Sequence, residues 1–208
     1  EAGVTVAHVV SSSKFARKCE EAGVDAIVAE GFEAGGHNGR EETTTLTLIP
    51  QVRRATCLPV VAAGGIGSGE AMLAAMALGA EGVQIGTLFA LSAESSASEA
   101  FKQRCLALDE GGTMLCLKKL SPTRLVRNGL FDKVAEAEAR GANSEELRDI
   151  LGKAASKRGI FEGDTEQGEL EIGQIVSSVD AIRPAGDIVR QLVEDFRKAQ
   201  KEVAAIGF

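Results

Sequence analysis

Histidine is scarce in this 208-residue chain: only His8 and His37 are present. That excludes a histidine-based zinc site. The four cysteines, Cys19, Cys57, Cys105 and Cys116, stand far apart with no Cys-x-x-Cys spacing. Reduced thiols are therefore expected rather than a disulfide framework or a metal cluster. No apolar run approaches the ~20 residues that span a bilayer. No positively charged leader with a cleavage site opens the chain, so a cytoplasmic protein is expected. Basic residues are outnumbered, 23 against 30 acidic, for a net charge of -7. This balance argues against nucleic acid or an anionic membrane as a partner. No Gly-x-Gly-x-x-Gly follows the first strand-like segment, which removes the usual dinucleotide fingerprint.

What remains is an α/β rhythm. Val4–Val10 is a β-branched run expected to form a strand buried on both faces, with His8 a structural residue inside it. Ser11–Ser13 cap a helix through Phe15, Ala16, Cys19 and Ala22 that stops at Gly23. Strands follow at Val24–Ala29, Pro59–Ala63 and Val83–Ile85. Helices are expected from near Leu48, with Pro50 in the first turn, over Glu70–Leu78, and over Ser95–Leu108.

Alternating strands and helices imply a parallel sheet. Short apolar strands ending in glycine favour a (β/α)8 TIM barrel, of which about the last four βα units are present. Four such strands leave two apolar edges in need of cover. The opening Glu1-Ala2-Gly3, without methionine, reads as the middle of a longer chain. After Gly111 the texture changes. Lys118–Arg124 reads as a basic loop, Asp132–Arg140 and Ser144–Lys157 as amphipathic helices, and Gly159–Gly173 as an acidic connector. A long helix closes the chain over Asp187–Ala204. The expected division is a half-barrel at 1–110, a small helical substrate or lid subdomain at 111–184, and a returning helix at 185–208.

The chemistry gathers at strand ends. Gly64-Gly65-Ile66-Gly67-Ser68-Gly69 brings backbone N–H groups and a helix N-terminus to one turn, a recurrent way to hold phosphate. Gly86-Thr87 offers one N–H and one hydroxyl to the same anion. His37, between glycines after the second strand, can exchange a proton near neutral pH; the bland alternative is a solvated loop residue. Glu30 is expected to make a hydrogen bond at the core rim and Glu33 to orient the loop. Gln84 and Gln174 are donors suited to a flavin ring edge, or packing amides. Lys118, Lys119, Arg124 and Arg127 form either a solvated face or a landing site for a nucleotide phosphate or an acidic carrier protein.

Ala29-Glu30-Gly31-Phe32-Glu33-Ala34-Gly35-Gly36-His37-Asn38-Gly39, then Ala62-Ala63-Gly64-Gly65-Ile66, then Leu78–Thr87, resemble the FMN-dependent nitronate monooxygenase (2-nitropropane dioxygenase) and enoyl-ACP reductase II family. Glu162-Gly163-Asp164 and Ile172-Gly173-Gln174-Ile175 extend the match. It corresponds to the C-terminal half of the family's barrel plus its small domain. The resemblance implies an FMN phosphate at Gly64, Gly65, Gly86 and Thr87, with Gly35, Gly36, Gln84 and Gln174 near the ring or ribityl chain. It implies His37 as the catalytic residue, and NADH or NADPH as co-substrate. The substrate would be small or carried by an acyl carrier, and a homodimer is expected.

Two departures stand out: Leu88 follows Gly86-Thr87 where relatives carry a basic or small residue, and the family's first four strands are absent. An NAD(P)H-dependent enoyl thioester reductase is the first expectation. A nitronate monooxygenase using oxygen is the second, and an inactive half-barrel or swapped dimer the third. An IMP-dehydrogenase-like enzyme would need a cysteine in the loop after Val24–Ala29. The loop has none.

Overall fold

The computed structural model describes residues 3–206. In chain order the elements are β1 (Ala7–Val10), α1 (Ser13–Glu21), β2 (Ala26–Glu30), β3 (Gly36–His37), α2 (Thr45–Arg53), β4 (Val60–Ala63), α3 (Gly69–Ala77) and β5 (Gly82–Gln84). There follow α4 (Thr87–Ala90), α5 (Glu99–Leu106), β6 (Thr113–Cys116), β7 (Thr123–Val126), α6 (Gly129–Ala139) and α7 (Ser144–Leu151). A wide π-type turn at Lys157–Phe161, a 3-10 turn at Gln174–Ser178 and α8 (Ala185–Ala204) complete the chain. The residues divide into two compact units. The first holds the segments up to Glu33, Glu41–Ile85, and Gly186 onward; the second holds Ala34–Arg40 and Gly86–Ala185.

The first unit is built on the parallel sheet β1-β2-β4-β5. Its helices start and stop where local chemistry says they should. The Ser12 hydroxyl accepts the Phe15 N–H at 3.4 Å and Ser68 accepts that of Ala71 at 3.2 Å, each meeting a donor that the helix leaves unpaired. The α2 start differs from expectation by three residues. Thr45 takes the first helical position because the Glu33 carboxylate accepts its backbone N–H, at 3.0 and 3.1 Å to the two oxygens. This cap comes from twelve residues away and leaves no local signature. Pro50 therefore lies past the first turn, and lacking an N–H it cannot bond the Leu46 carbonyl. Leu46 itself is 67% exposed.

Strand alternation sets the core. Ile27 and Ala29 of β2, and Val60 and Ala62 of β4, pack with Val10, Ala16, Leu48, Ile49, Val52 and Ala75. Each large aliphatic side chain buried there contributes about 1.5–3 kcal/mol. The expectation of a doubly buried first strand is corrected. β1 is an edge strand paired only with β2, and of its four residues only Val10 is buried. Val4, Val6 and Val9 are 71%, 43% and 44% exposed. His8 lies within β1 but is exposed, its Nδ1 2.8 Å from the Val9 carbonyl oxygen.

The second unit holds the two expected helices, α6 and α7, together with an antiparallel sheet, β3-β7-β6, that the sequence pattern did not announce. Arg124, expected in a basic loop, is the second residue of β7. Asn128 caps α6 by accepting the Phe131 N–H at 3.0 Å, while its amide donates to the Thr165 and Gly168 carbonyls at 2.9 and 3.0 Å. Asn143 and Glu146 form a capping box on α7. One core joins Phe101, Cys105, Val126, Leu170, Ile172 and Val176; a second joins Cys116, Leu125, Phe131, Val134 and Leu147.

The buried cysteines give a direct check on this packing. Burial pushes the Cys105 and Cys116 thiols up to about 12, whereas Cys57 is exposed. Alkylation near neutral pH, read by mass spectrometry, should label Cys57 first. It should reach Cys105 and Cys116 only on unfolding, because the thiolate is the reactive form.

Among the described residues no helix is long and apolar enough to cross a membrane. Nor does any group of three or more His, Cys, Asp or Glu gather to hold a metal ion.

Candidate active site

In the first unit, the C-terminal ends of the strands carry the candidate groups. Register aligns Glu30 with Ala63 and Ala63 with Gln84 across β2, β4 and β5. Alternation puts this row on the sheet face opposite the helix-packed core. Gln84 is exposed there, available as a donor. Glu30 makes no side-chain hydrogen bond or ion pair with the described residues, so the expected rim hydrogen bond is not formed. Its pKa is raised above 4.5 by burial alone. A carboxyl with a raised folded-state pKa favours the fold when neutral. Stability is then highest below the unfolded value near 4.5 and declines as pH rises through the folded pKa. Glu30→Gln should therefore raise the melting temperature at pH 7, with the gain shrinking toward pH 4 in a thermal denaturation series.

Glu33 does orient its turn. Besides capping α2, its carboxylate lies 2.9 Å from the Thr45 hydroxyl, which is also 2.8 Å from the Gly64 carbonyl. This ties the turn after β2 to the turn after β4. Gly64 has φ +85°, and a Cβ there would lie 2.5 Å from the Gly31 carbonyl oxygen. Only glycine fits. Gly65 follows in the same left-handed region, at φ +67°.

In the second unit, His37 sits on a strand rather than in an open loop. β3 pairs with β7, Gly36 opposite Arg124 and His37 opposite Thr123. The Asn38 N–H donates to the Pro122 carbonyl at 2.7 Å, and its side-chain amide donates back to the Ala34 and Gly36 carbonyls. The imidazole is thus presented, exposed, from a backbone held on both sides. Gly36, at φ +75°, would place a Cβ 2.5 Å from a Glu171 carboxylate oxygen. Gly86 behaves differently. Its φ of -94° suits any residue, and a Cβ there would meet nothing within 4 Å. Among the described residues nothing requires glycine at that position.

Thr87, buried behind Gly86, accepts the Gly173 N–H on its hydroxyl oxygen at 3.1 Å. It thereby holds the segment leading to the exposed Gln174. The basic residues do not form one exposed patch. Arg124 is 2% exposed. The Lys119 ammonium donates to the Gly141 and Ala142 carbonyls at the end of α6, at 2.9 and 2.6 Å. Lys118 and Arg127 are exposed, the latter 6.0 Å from the Phe131 ring centroid.

One group escaped the sequence reading. The Ser156 hydroxyl lies 2.9 Å from a Glu169 carboxylate oxygen and 2.7 Å from one of Glu171. Burial raises the Glu169 pKa, with Glu171 adding to the rise, while Ser156, His37 and Arg158 oppose it. The Glu-x-Glu spacing was the available signal, but it lay in a stretch that reads as a turn-rich connector.

The nitronate monooxygenase family model matches residues 1–195. The chain belongs to the nitronate monooxygenase family. This is a family of flavin enzymes, so the glycine turns and the exposed His37 imidazole acquire a chemical context. The chain is 32% identical over 225 residues to a nitronate monooxygenase of Neurospora crassa, covering 99% of this chain and 57% of that protein. It is 32% identical over 243 residues to an indene-carboxyl-CoA dehydrogenase of Rhodococcus jostii, covering 99% and 67%. Among solved structures, FabK of Thermotoga maritima superposes with a TM-score of 0.91 at 37% identity, over 97% of this chain and 64% of that one. The nitroalkane oxidase of Streptomyces ansochromogenes gives 0.79 at 33%, over 97% and 60%. The chain thus spans little more than half the length of several relatives, and the fold is that of part of a parallel α/β barrel.

Proposed function

We propose that this chain is the FMN-binding portion of an NAD(P)H-dependent oxidoreductase that reduces trans-2-enoyl thioesters, as an enoyl-ACP reductase II does. The likeness to FabK over nearly the whole chain carries this reading most directly. A relative named for a carboxyl-CoA substrate supports the thioester class.

When bound, FMN supplies reversible two-electron hydride chemistry. The residues present fit such a group. Gly86 leaves open the space that a Cβ would fill, and Gly64 and Gly65 offer N–H groups ahead of a helix. Gly64, Gly65, Gly86 and Thr87 would hold its phosphate, with Gly35, Gly36, Gln84 and Gln174 nearer the ring and ribityl chain. His37 then acts on the substrate, polarising the thioester carbonyl and delivering a proton to carbon. Lys118, Lys119 and Arg127 are exposed cations that a carrier protein's acidic face would meet, whereas the buried Arg124 serves the fold.

The family model favours a second reading, oxidation of alkyl nitronates by oxygen. Whole protein loaded with FMN, given crotonyl thioester with NADH or NADPH and, separately, propyl-2-nitronate with oxygen, separates the two. Enoyl reduction is expected. Nitronate consumption without NAD(P)H, and no enoyl reduction, would reverse the order. A colourless protein that takes up no flavin would dismiss both.

A further inference from the structure

Reducing an enoyl thioester adds one hydride and one proton across the C=C bond. The imidazole that delivers the proton must recover one before the next turnover. The surroundings of His37 contain a group suited to that task. The Ser156 hydroxyl touches carboxylate oxygens of both Glu169 and Glu171. A hydroxyl has one proton to donate. With both carboxylates ionised, one of the two contacts would set oxygen against oxygen with no hydrogen between. A single added proton on one carboxyl satisfies both contacts.

The position of this pair relative to His37 follows from strand pairing. Along one edge of β7, Thr123 faces His37, Arg124 faces Gly36 and Leu125 faces Glu171. His37 and Glu171 are thus two positions apart, their backbones roughly 7 Å from each other along the strand. Gly36, between them, has no side chain, and a Glu171 oxygen occupies the space beside its Cα.

The nearby cations His37 and Arg158 oppose protonation of Glu169, and burial, the largest influence, outweighs them. The Arg158 guanidinium donates to the Leu151 and Gln167 carbonyls. Arg124, buried in β7, is a further fixed cation, whose charge favours the ionised form of a carboxyl beside it. The Cys116 thiol, on the neighbouring strand, is held protonated by burial.

We propose that Glu169 and Glu171, bridged by Ser156, store one exchangeable proton beside His37 and return it to the imidazole after each substrate protonation. This rests on His37 being the acid in enoyl reduction. The balance is simple: imidazolium gives its proton to the substrate carbon, the stored carboxyl proton reloads the imidazole, and solvent reloads the carboxylate pair.

Infrared spectroscopy of the unmutated chain at neutral pH should show the carbonyl band of a protonated carboxylic acid. Glu169→Gln should remove it, and Glu30→Gln should not. In the FMN-loaded whole protein, Glu169→Gln should lower kcat about tenfold above neutral pH while leaving the rate near pH 6 close to that of the parent. Ser156→Ala should give the same pH dependence with both carboxyls retained, which covers a failure of Glu169→Gln to fold. Absence of the band from the unmutated chain, or unchanged alkaline rates in both variants, would overturn the proposal. Full turnover in His37→Ala with the band still present would instead remove His37 as the proton's recipient, whereas absence of enoyl reduction by the unmutated protein with the band present would defeat the enoyl reductase reading.

Discussion

His37→Ala should lower kcat/KM for enoyl thioester reduction by about a hundred- to ten-thousand-fold, the range usual for loss of a general acid. The side chain is exposed and makes no hydrogen bond to the described residues, and its strand is held by backbone contacts on either side. Removing the imidazole should therefore change stability by no more than about 0.5 kcal/mol. Flavin absorbance and melting temperature should stay near those of the parent while turnover collapses. That combination separates a chemical role from a structural one. A variant that keeps its flavin and reduces crotonyl thioester at the parent rate would remove His37 from the reaction.

The second large effect comes from contrasting two glycines. Gly64→Ala should destabilise the protein by about 3 kcal/mol or more. The substitution combines a left-handed backbone with a Cβ 2.5 Å from the Gly31 carbonyl oxygen. Gly86→Leu should leave the fold intact, because its backbone is in the ordinary helical region and its side chain would enter open space. If a phosphate lies against Gly86, that variant should lose affinity for FMN roughly a hundredfold, about 2.7 kcal/mol. Chemical denaturation gives the first number and a flavin titration the second. Parent-like FMN affinity in folded Gly86→Leu would move the phosphate away from this turn.

The same contrast explains what was legible in the sequence. α1 and α3 could be placed because their caps, Ser12 and Ser68, and the glycines that end them, lie within a few residues of each helix. The start of α2 could not, since its cap is the distant Glu33. β6 and β7 are four residues each, and burial of Arg124 within β7 disguises that strand as part of a basic loop. β3 has only two residues and exists through its partner strand.

For the candidate site, motif resemblance pointed to His37 and the glycine turns, but it treated all five glycines alike. Geometry distinguishes Gly36 and Gly64, which the fold itself demands, from Gly86, which it does not. The carboxylate pair was hidden because a shared hydroxyl is a property of three-dimensional neighbours. Ser156 is thirteen and fifteen residues from its partners.

The first compact unit has a consequence for how the chain comes into being. Its sheet is encoded before Gly86, yet α8, which belongs to the same unit, is encoded only after Ala185. A ribosome must therefore synthesise the Gly86–Ala185 part of the second unit while the first waits, its hydrophobic strands already outside the exit tunnel. The interval is the hundred residues from Gly86 to Ala185, some 5–20 s at ordinary elongation speeds. Over that time a nascent-chain holdase would find its longest-lived target in the βα segments rather than in the helices that follow.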